Sequence, residues 1–397
     1  MKLAHIADPH LGIRQYQRQT QSGINQREAD VAQAFRAAID GVIEARPDAV
    51  VIAGDLFHSV RPTNSAIVFA FRQFQRLRES LPQAPVVLIA GNHDTPRSAE
   101  TGSILRLFEE LGVHVASDKA RRLEFPELEL SIFAVPHQAL VSGDRPSLRP
   151  EGEARYRVLV MHGTVEGVLP VDRGGSDYGG ALIGARELSG GEWSYVALGD
   201  YHVQFEVAPR VWYAGALEYV SPDFWGDWRI EKELRPEKKI KGKAKGWLLV
   251  DLDTGKVERK SIPSARDIED LEADAGGLEA AAVDALIKAR VASVKGGIEG
   301  KIVRLKIYNV PRHVGRELDH AAIRGYKTSA LHFNLDLRRP EARRTVGVGA
   351  PWRRQTLPEL VREFLGRRPL PESIDRETFV RLGVDLVDVA ETDLVAT

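Results

Sequence analysis

Five short apolar runs in this chain each stop on residues that bind metals, protons or phosphates. Val86-Val87-Leu88-Ile89 has the composition of a strand buried on both faces, and it ends in Ala90-Gly91-Asn92-His93-Asp94. A single ending of this kind reads equally well as a turn, because turns favour Gly, Asn and Asp. The ending recurs, however. Leu3–Ala7 runs into Asp8-Pro9-His10, Ala49–Ala53 into Gly54-Asp55-Leu56-Phe57-His58, Tyr156–Met161 into His162-Gly163, and Tyr195–Leu198 into Gly199-Asp200-Tyr201-His202. Turn composition does not account for five.

Amphipathic stretches separate the first three runs. Gln26 to Ala45 puts Val31, Phe35, Ala38, Ile39, Val42 and Ile43 on one helical face, with Pro47 beyond it as a stop. A second face (Ile67, Phe71, Phe74, Leu77) follows a cap at Thr63 or Asn64, and a shorter one ends at Gly112. Strand–helix alternation with connections this short predicts parallel strands in an α/β sheet. Ligands of such sheets sit beyond the carboxyl ends of the strands. Asp8, His10, Asp55, Asn92, His162, Asp200 and His202 all follow such ends.

Composition narrows the chemistry. The chain has 397 residues, 43% hydrophobic and 28% charged, as expected of a globular protein with two or three domains. It has no cysteine, so any metal is held by oxygen and imidazole nitrogen. Seven such ligands are too many for one tetrahedral zinc and suit two ions such as Mn²⁺ or Fe²⁺. Two ions roughly 3.5–4 Å apart can generate a bridging hydroxide and clamp a phosphoryl centre. Asp55, on the central strand, is the candidate bridge between them. Net charge is −1, so nucleic acid would have to be met by a local basic patch. Lys238, Lys239, Lys241, Lys243 and Lys245 supply one, in a segment that Pro236 and Gly242 mark as an exposed loop. No run approaches the roughly 18 apolar residues of a membrane span. Strand-like sequence from Leu3 onward leads us to expect no signal peptide and a cytoplasmic location.

Asp8-Pro9-His10, Gly54-Asp55, Gly91-Asn92-His93-Asp94, His162-Gly163 and Gly199-Asp200-Tyr201-His202 together resemble the motifs of the calcineurin-like metallophosphoesterases. Within that superfamily the likeness is strongest to the SbcD-type DNA-repair nucleases. Gly54-Asp55-Leu56-Phe57-His58 followed by Arg61-Pro62 carries it, because phosphoprotein phosphatases place Asp-Arg-Gly after this strand. The resemblance implies two Mn²⁺ ions, one on Asp8, His10, Asp55 and His202, the other on Asp55, Asn92, His162 and Asp200. It implies His93 as the general acid, His58 as a contact to the scissile phosphate, and Asp94 as an orienter of His93. Asp200 stands where the family usually has histidine; a carboxylate still ligates Mn²⁺ and adds negative charge.

The resemblance further implies a four-layered α/β sandwich over residues 1–252 and a small α+β capping domain over 253–340. A C-terminal tail over 341–397 would dock on an SMC-like coiled-coil ATPase of the SbcC type, and the protein would be a homodimer. The tail's own sequence fits helices: Leu357, Leu360, Val361, Phe364 and Leu365 share a face, and a second short piece around Phe379 ends at Gly383. In the capping region, Ser264 to Ala289 is acidic and helical in pattern with a break at Gly276-Gly277, while Ile302–Ile307 and Ala330–Leu337 are strands. The expected activity is Mn²⁺-dependent exonuclease and endonuclease cleavage of DNA in double-strand break repair and hairpin processing. Two alternatives stand beside it: a phosphodiesterase or phosphatase for small molecules or nucleotides, and a DNA-binding scaffold that has lost cleavage through Asp200.

Overall fold

Each of the five apolar runs is a strand, and together they form the parallel centres of two mixed sheets whose carboxyl ends meet. The computed structural model describes residues 1–96, 102–167, 181–188, 193–222, 224–234, 245–340, 357–368, 370 and 375–395. Along the chain, β1 (Lys2–Ile6), α1 (Gln26–Ala45), β2 (Ala49–Ala53), α2 (Asn64–Ser80), β3 (Val86–Ile89) and β4 (His114–Ala116) form the first half. Then come β5 (Arg121–Phe125), β6 (Leu130–Val135), α3 (His137–Val141), β7 (Tyr156–His162), β8 (Thr164–Val165), β9 (Leu182–Ile183), α4 (Ala185–Leu188), β10 (Tyr195–Gly199), β11 (Phe205–Ala208) and β12 (Val211–Tyr213). Helix α5 (Phe224–Leu234) leads back to β13 (Gly246–Asp251) and β14 (Val257–Ser261). The first sheet has the order β14-β13-β1-β2-β3-β4 and the second β11-β12-β10-β7-β6-β5. Since β14 extends the first sheet to Ser261, position 252 falls inside a hairpin.

Two apolar faces per strand explain the layering. Ala4 and Ile6 of β1, Val50 and Ile52 of β2, and Val86 and Leu88 of β3 pack under α1 and α2 with Phe35 and Phe74. Leu3, Val51, Val87 and Ile89 face the other way and meet Ile132, Val158, Val160 and Ala197 of the second sheet. The outer face of that sheet (Phe133, Leu159, Met161, Leu198) is closed by Leu140 of α3, Leu188 and Trp193. Four layers result, helix on sheet on sheet on helix. Burial of each large side chain in these layers stabilises the fold by about 1.5–3 kcal/mol. No helix among the described residues is long and apolar enough to cross a membrane.

The small region departs from expectation. It contains β15 (Ile268–Asp274), α6 (Ala280–Ala292), β16 (Ile302–Tyr308), α7 (Arg312–Arg316), α8 (His320–Ser329) and β17 (His332–Leu337). Its three strands are all parallel, in the order β15-β16-β17, so it is a β-α-β-α-β unit and not the α+β arrangement expected. Ile268–Asp274, read from sequence as helical, is a strand because its acids find bases across the ladder. Asp270 takes a two-pronged bond from Arg304 at 2.9 and 2.8 Å, and Glu272 pairs with Lys306 at 2.9 Å.

Met1–Pro340 form one compact unit and Glu341–Thr397 a second. In the second, α9 (Leu357–Arg367) packs on α10 (Arg376–Val395). The expected stop at Gly383 does not occur; the helix runs through it. A Cβ there would collide with the Leu365 side chain, so the glycine serves the helix crossing and not a terminus. Phe364, Leu382 and Leu386 of this pair are exposed.

Candidate metal centre

The loops after β1 and β2 are laced together by their backbones. Asp8 N–H donates to the Gly54 carbonyl at 3.2 Å, His10 N–H to Asp55 at 2.9 Å and His58 N–H to Leu11 at 3.0 Å. To turn their side chains inward from the strand ends, Asp8, His10, Asp55 and Asp200 adopt positive φ (50°, 49°, 51° and 102°). That region is costly for residues with a Cβ and is tolerated where surrounding structure enforces it. Two glycines of the motifs have a steric reason. A Cβ on Gly91 would strike the Asp55 carboxylate and backbone, and one on Gly199 would strike the Ala53 carbonyl. Gly91 lets the loops after β2 and β3 close on each other, and Gly199 lets the ends of the two sheets touch.

Two sets of donors converge on Asp55. On one side, His10 Nε2 and His202 Nε2 face each other at 3.1 Å, with Asp55 Oδ2 3.6 Å from His10 Nε2. On the other, His162 Nε2 lies 3.4 Å from Asp55 Oδ2, 2.9 Å from Asn92 Oδ1 and 3.7 Å from Asp200 Oδ1. Asp8 Oδ1, expected beside His10 and His202, is 3.6 Å from His162 Nδ1 and accepts from the Asp200 amide at 3.1 Å. Donor atoms of Asp8, Asp55 and His162 lie within 4.8 Å of one another, as do those of His10, His58 and His93.

These residues fit divalent cations. Asp55 Oδ2 is buried between the two imidazole sets, and among the described residues no well-aligned hydrogen-bond donor satisfies it. Burial pushes Asp8 well above the usual carboxylate range, with Asp55 and Asp200 adding to that push against the opposing pull of His162. Burial works against charge on His162, but the carboxylates of Asp55, Asp8 and Asp200 overcome it and raise its pKa well above the ordinary value. Burial holds His10 well below its ordinary value, so its ring is a neutral donor. Crowded buried carboxylates, which raise Asp8 and His162 alike, are a demand for positive charge.

The motif residues outside the ligand set are placed differently. His93 Nδ1 donates to the His58 carbonyl at 2.7 Å, which fixes the ring from that side. Its amide donates to Asp55 Oδ1 at 2.9 Å, so the general-acid candidate and the candidate bridge are tied together. The His58 and His93 rings stack at 5.1 Å, both half-buried. Asp94 does not orient His93. Its carboxylate accepts from the amides of Leu56, Phe57 and Gly91, at 3.0, 3.0 and 3.3 Å, and staples the β2 loop to the β3 loop. Burial, then the Asp55 charge, push its pKa up to about 7.

With this geometry in view, the sequence profile of the calcineurin-like phosphoesterases matches residues 1–204, more than half of the chain. The chain belongs to the calcineurin-like phosphoesterases. Relatives described as DNA double-strand break repair protein Mre11 are similar to it. That of Methanococcus maripaludis is 40% identical over 111 residues, covering 28% of this chain and 28% of the relative. That of Sulfurisphaera tokodaii is 30% identical over 213 residues, covering 51% and 49%. That of Methanocaldococcus jannaschii is 26% identical over 294 residues, covering 68% and 69%. The chain thus spans half or less of the length of the first two.

As a phosphoesterase site, the cluster gathers Asp8, His10, Asp55, Asn92, His162, Asp200 and His202 with His58 and His93. The basic patch is a separate matter. Lys238, Lys239, Lys241 and Lys243 lie outside the described residues. Lys245 is not on an exposed loop: it is buried, paired with Glu231 at 2.8 Å and donating to the His202 carbonyl at 2.6 Å, so it is closed to a phosphate backbone. The segment before it begins as helix, since α5 runs to Leu234. Sequence reasoning missed two supports of the ligands. Thr164 Oγ1 donates to Asp200 Oδ2 at 2.5 Å, and Ser221 Oγ lies 2.6 Å from His202 Nδ1. Thr164 stands two residues beyond His162 and was open to notice; Ser221, nineteen residues beyond His202, carries no local signal.

Proposed function

We propose that this chain is a divalent-metal-dependent DNA phosphodiesterase, cutting as exonuclease and endonuclease in double-strand break repair and hairpin processing. The observation that carries this reading is the Asp55 carboxylate, held between two imidazole sets with the His93 amide on its other oxygen. His10, His202, Asp55 and Asp8 would hold one ion, and Asp55, Asn92, His162 and Asp200 the other. The donors suit Mn²⁺, with Fe²⁺ or other divalent ions as alternatives. When bound, two such ions supply an acidified water as nucleophile and Lewis-acid charge at the phosphoryl oxygens.

The chain's own residues do the rest. His93, anchored through Nδ1, presents Nε2 to the leaving sugar oxygen and delivers a proton there. His58, stacked on it, contacts the scissile phosphate and keeps it in line. The names of the relatives favour DNA over small esters as the substrate. The exposed apolar residues of the C-terminal helix pair suit a coiled-coil partner, an SMC-like ATPase of the SbcC type, in a cytoplasmic homodimeric complex.

The test is cleavage of labelled single- and double-stranded DNA with Mn²⁺, beside bis-p-nitrophenyl phosphate and p-nitrophenyl phosphate. Metal-dependent DNA cutting supports the proposal. Intact DNA with turnover of the small esters would make the chain a small-molecule phosphodiesterase, and no turnover of any substrate would make it a scaffold.

A further inference from the structure

His202 is held from behind by one helix. The Ser221 hydroxyl lies 2.6 Å from His202 Nδ1 and donates to Asp227 Oδ2 at 2.6 Å. Asp227, in the first turn of α5, is fully buried. One helical turn on, Glu231 pairs with Lys245 at 2.8 Å, and Lys245 Nζ donates to the main-chain carbonyl of His202 at 2.6 Å. Glu231 also accepts from the Tyr219 hydroxyl at 2.7 Å, and Lys245 Nζ sits 4.5 Å from the centre of the Tyr219 ring. The ring and the backbone of one candidate ligand are thus both gripped from α5.

Two of the other imidazoles are fixed more simply. His162 Nδ1 rests on the Ala53 carbonyl at 2.9 Å and His93 Nδ1 on the His58 carbonyl at 2.7 Å. A carbonyl only accepts, so each ring must carry its proton on Nδ1. A hydroxyl is ambiguous, because it accepts or donates. Asp227 removes the ambiguity: a carboxylate takes the single proton of Ser221, and the Ser221 oxygen is left to accept from His202 Nδ1–H. The lone pair of Nε2 then points at His10 Nε2 and the Asp55 side of the centre.

We propose that Ser221 and Asp227 are positioning residues that set which nitrogen His202 offers to a metal ion. The inference rests on the metal-centre reading above, and its test separates the two. The full chain, freed of metal with EDTA and labelled with ¹⁵N-histidine, reports the tautomer of each ring by NMR, with His202→Gln assigning the His202 signals. The wild-type His202 should be protonated on Nδ1. In Ser221→Ala and Asp227→Ala it should become a mixture of the two tautomers. Mn²⁺ titrations followed by electron paramagnetic resonance should then show one ion bound about 10–100-fold more weakly in both variants, with the other unchanged. Ser221→Thr, which keeps the hydroxyl, should retain both ions.

An Nε2-protonated His202 in the metal-free wild type overturns the proposal. So does wild-type affinity for both ions in a folded Ser221→Ala chain. If the variants fail to fold, the wild-type tautomer alone decides it. A wild-type chain that takes up no Mn²⁺ overturns the metal reading, while the tautomer still decides what Ser221 and Asp227 do.

Discussion

Replacing His5 by leucine should flatten the acid side of the stability profile. His5 lies on β1 and reaches across the interface between the two sheets, its Nδ1 3.0 Å from the hydroxyl of Tyr195 on β10. Both are fully buried, and burial lowers the His5 pKa from 6.5 to about 3. Between those values the unfolded chain takes up a proton that the folded chain refuses, so stability is present above pH 6.5 and lost as pH falls through the window. At pH 5 the ratio of the two binding polynomials is about 30, which is about 2 kcal/mol of lost stability. That is a visible part of a total of about 5–15 kcal/mol. The assay is urea unfolding of EDTA-treated protein at pH 7.5 and 5.0, followed by tryptophan fluorescence. Other groups titrate in the same range, but they cancel when wild type and His5→Leu are compared as differences between the two pH values. The leucine variant loses a hydrogen bond and starts lower; what matters is that its loss on acidification should be smaller by about 2 kcal/mol. Equal losses in the two proteins, within about 0.5 kcal/mol, would refute a neutral, proton-refusing His5.

Four further outcomes follow from the site and the tail. His93→Ala should leave Mn²⁺ content unchanged and slow DNA cleavage by roughly 10²–10⁴-fold; the loss on bis-p-nitrophenyl phosphate should be smaller, because nitrophenolate leaves without a proton. Thr164→Val removes the 2.5 Å donation to Asp200 while keeping the side chain's shape, and should weaken one ion about 10-fold in a metal titration. For Asp200 itself, metal content decides: one ion per wild-type chain and two in Asp200→His would refute a centre that binds two ions through a carboxylate at this position. Deleting 355–397 should leave DNA cleavage intact and abolish co-purification with a coiled-coil ATPase.

The two-sheet architecture was legible because its central strands are short, mainly apolar runs, and the candidate ligands because they follow the ends of such runs. Legibility failed where residues are satisfied by distant partners. The acids of Ile268–Asp274 read as a solvated helix, but the segment is a strand, laddered to β16 with Asp270 and Glu272 paired to Arg304 and Lys306. Lys245 read as one more exposed lysine after Lys243, though Glu231 and the His202 carbonyl draw it into the interior. Gly383 read as a helix end, and the helix that needs it small is α9, about twenty residues earlier. Ser221 and Asp227 have no spacing that marks them, since the contact between them depends on where α5 lands.

The positive φ angles at Asp8, His10, Asp55 and Asp200 put the scaffold in tension with its own ligands. Each such residue costs roughly 1–3 kcal/mol relative to glycine's freedom. The cost is met when the chain folds, so the inward-turned ligands are set by the backbone beneath them. It also sets a direction of drift. A lineage released from the need to bind metal would gain stability by relaxing these positions to glycine, and the first traces of lost function would be found in the backbone beneath the ligands.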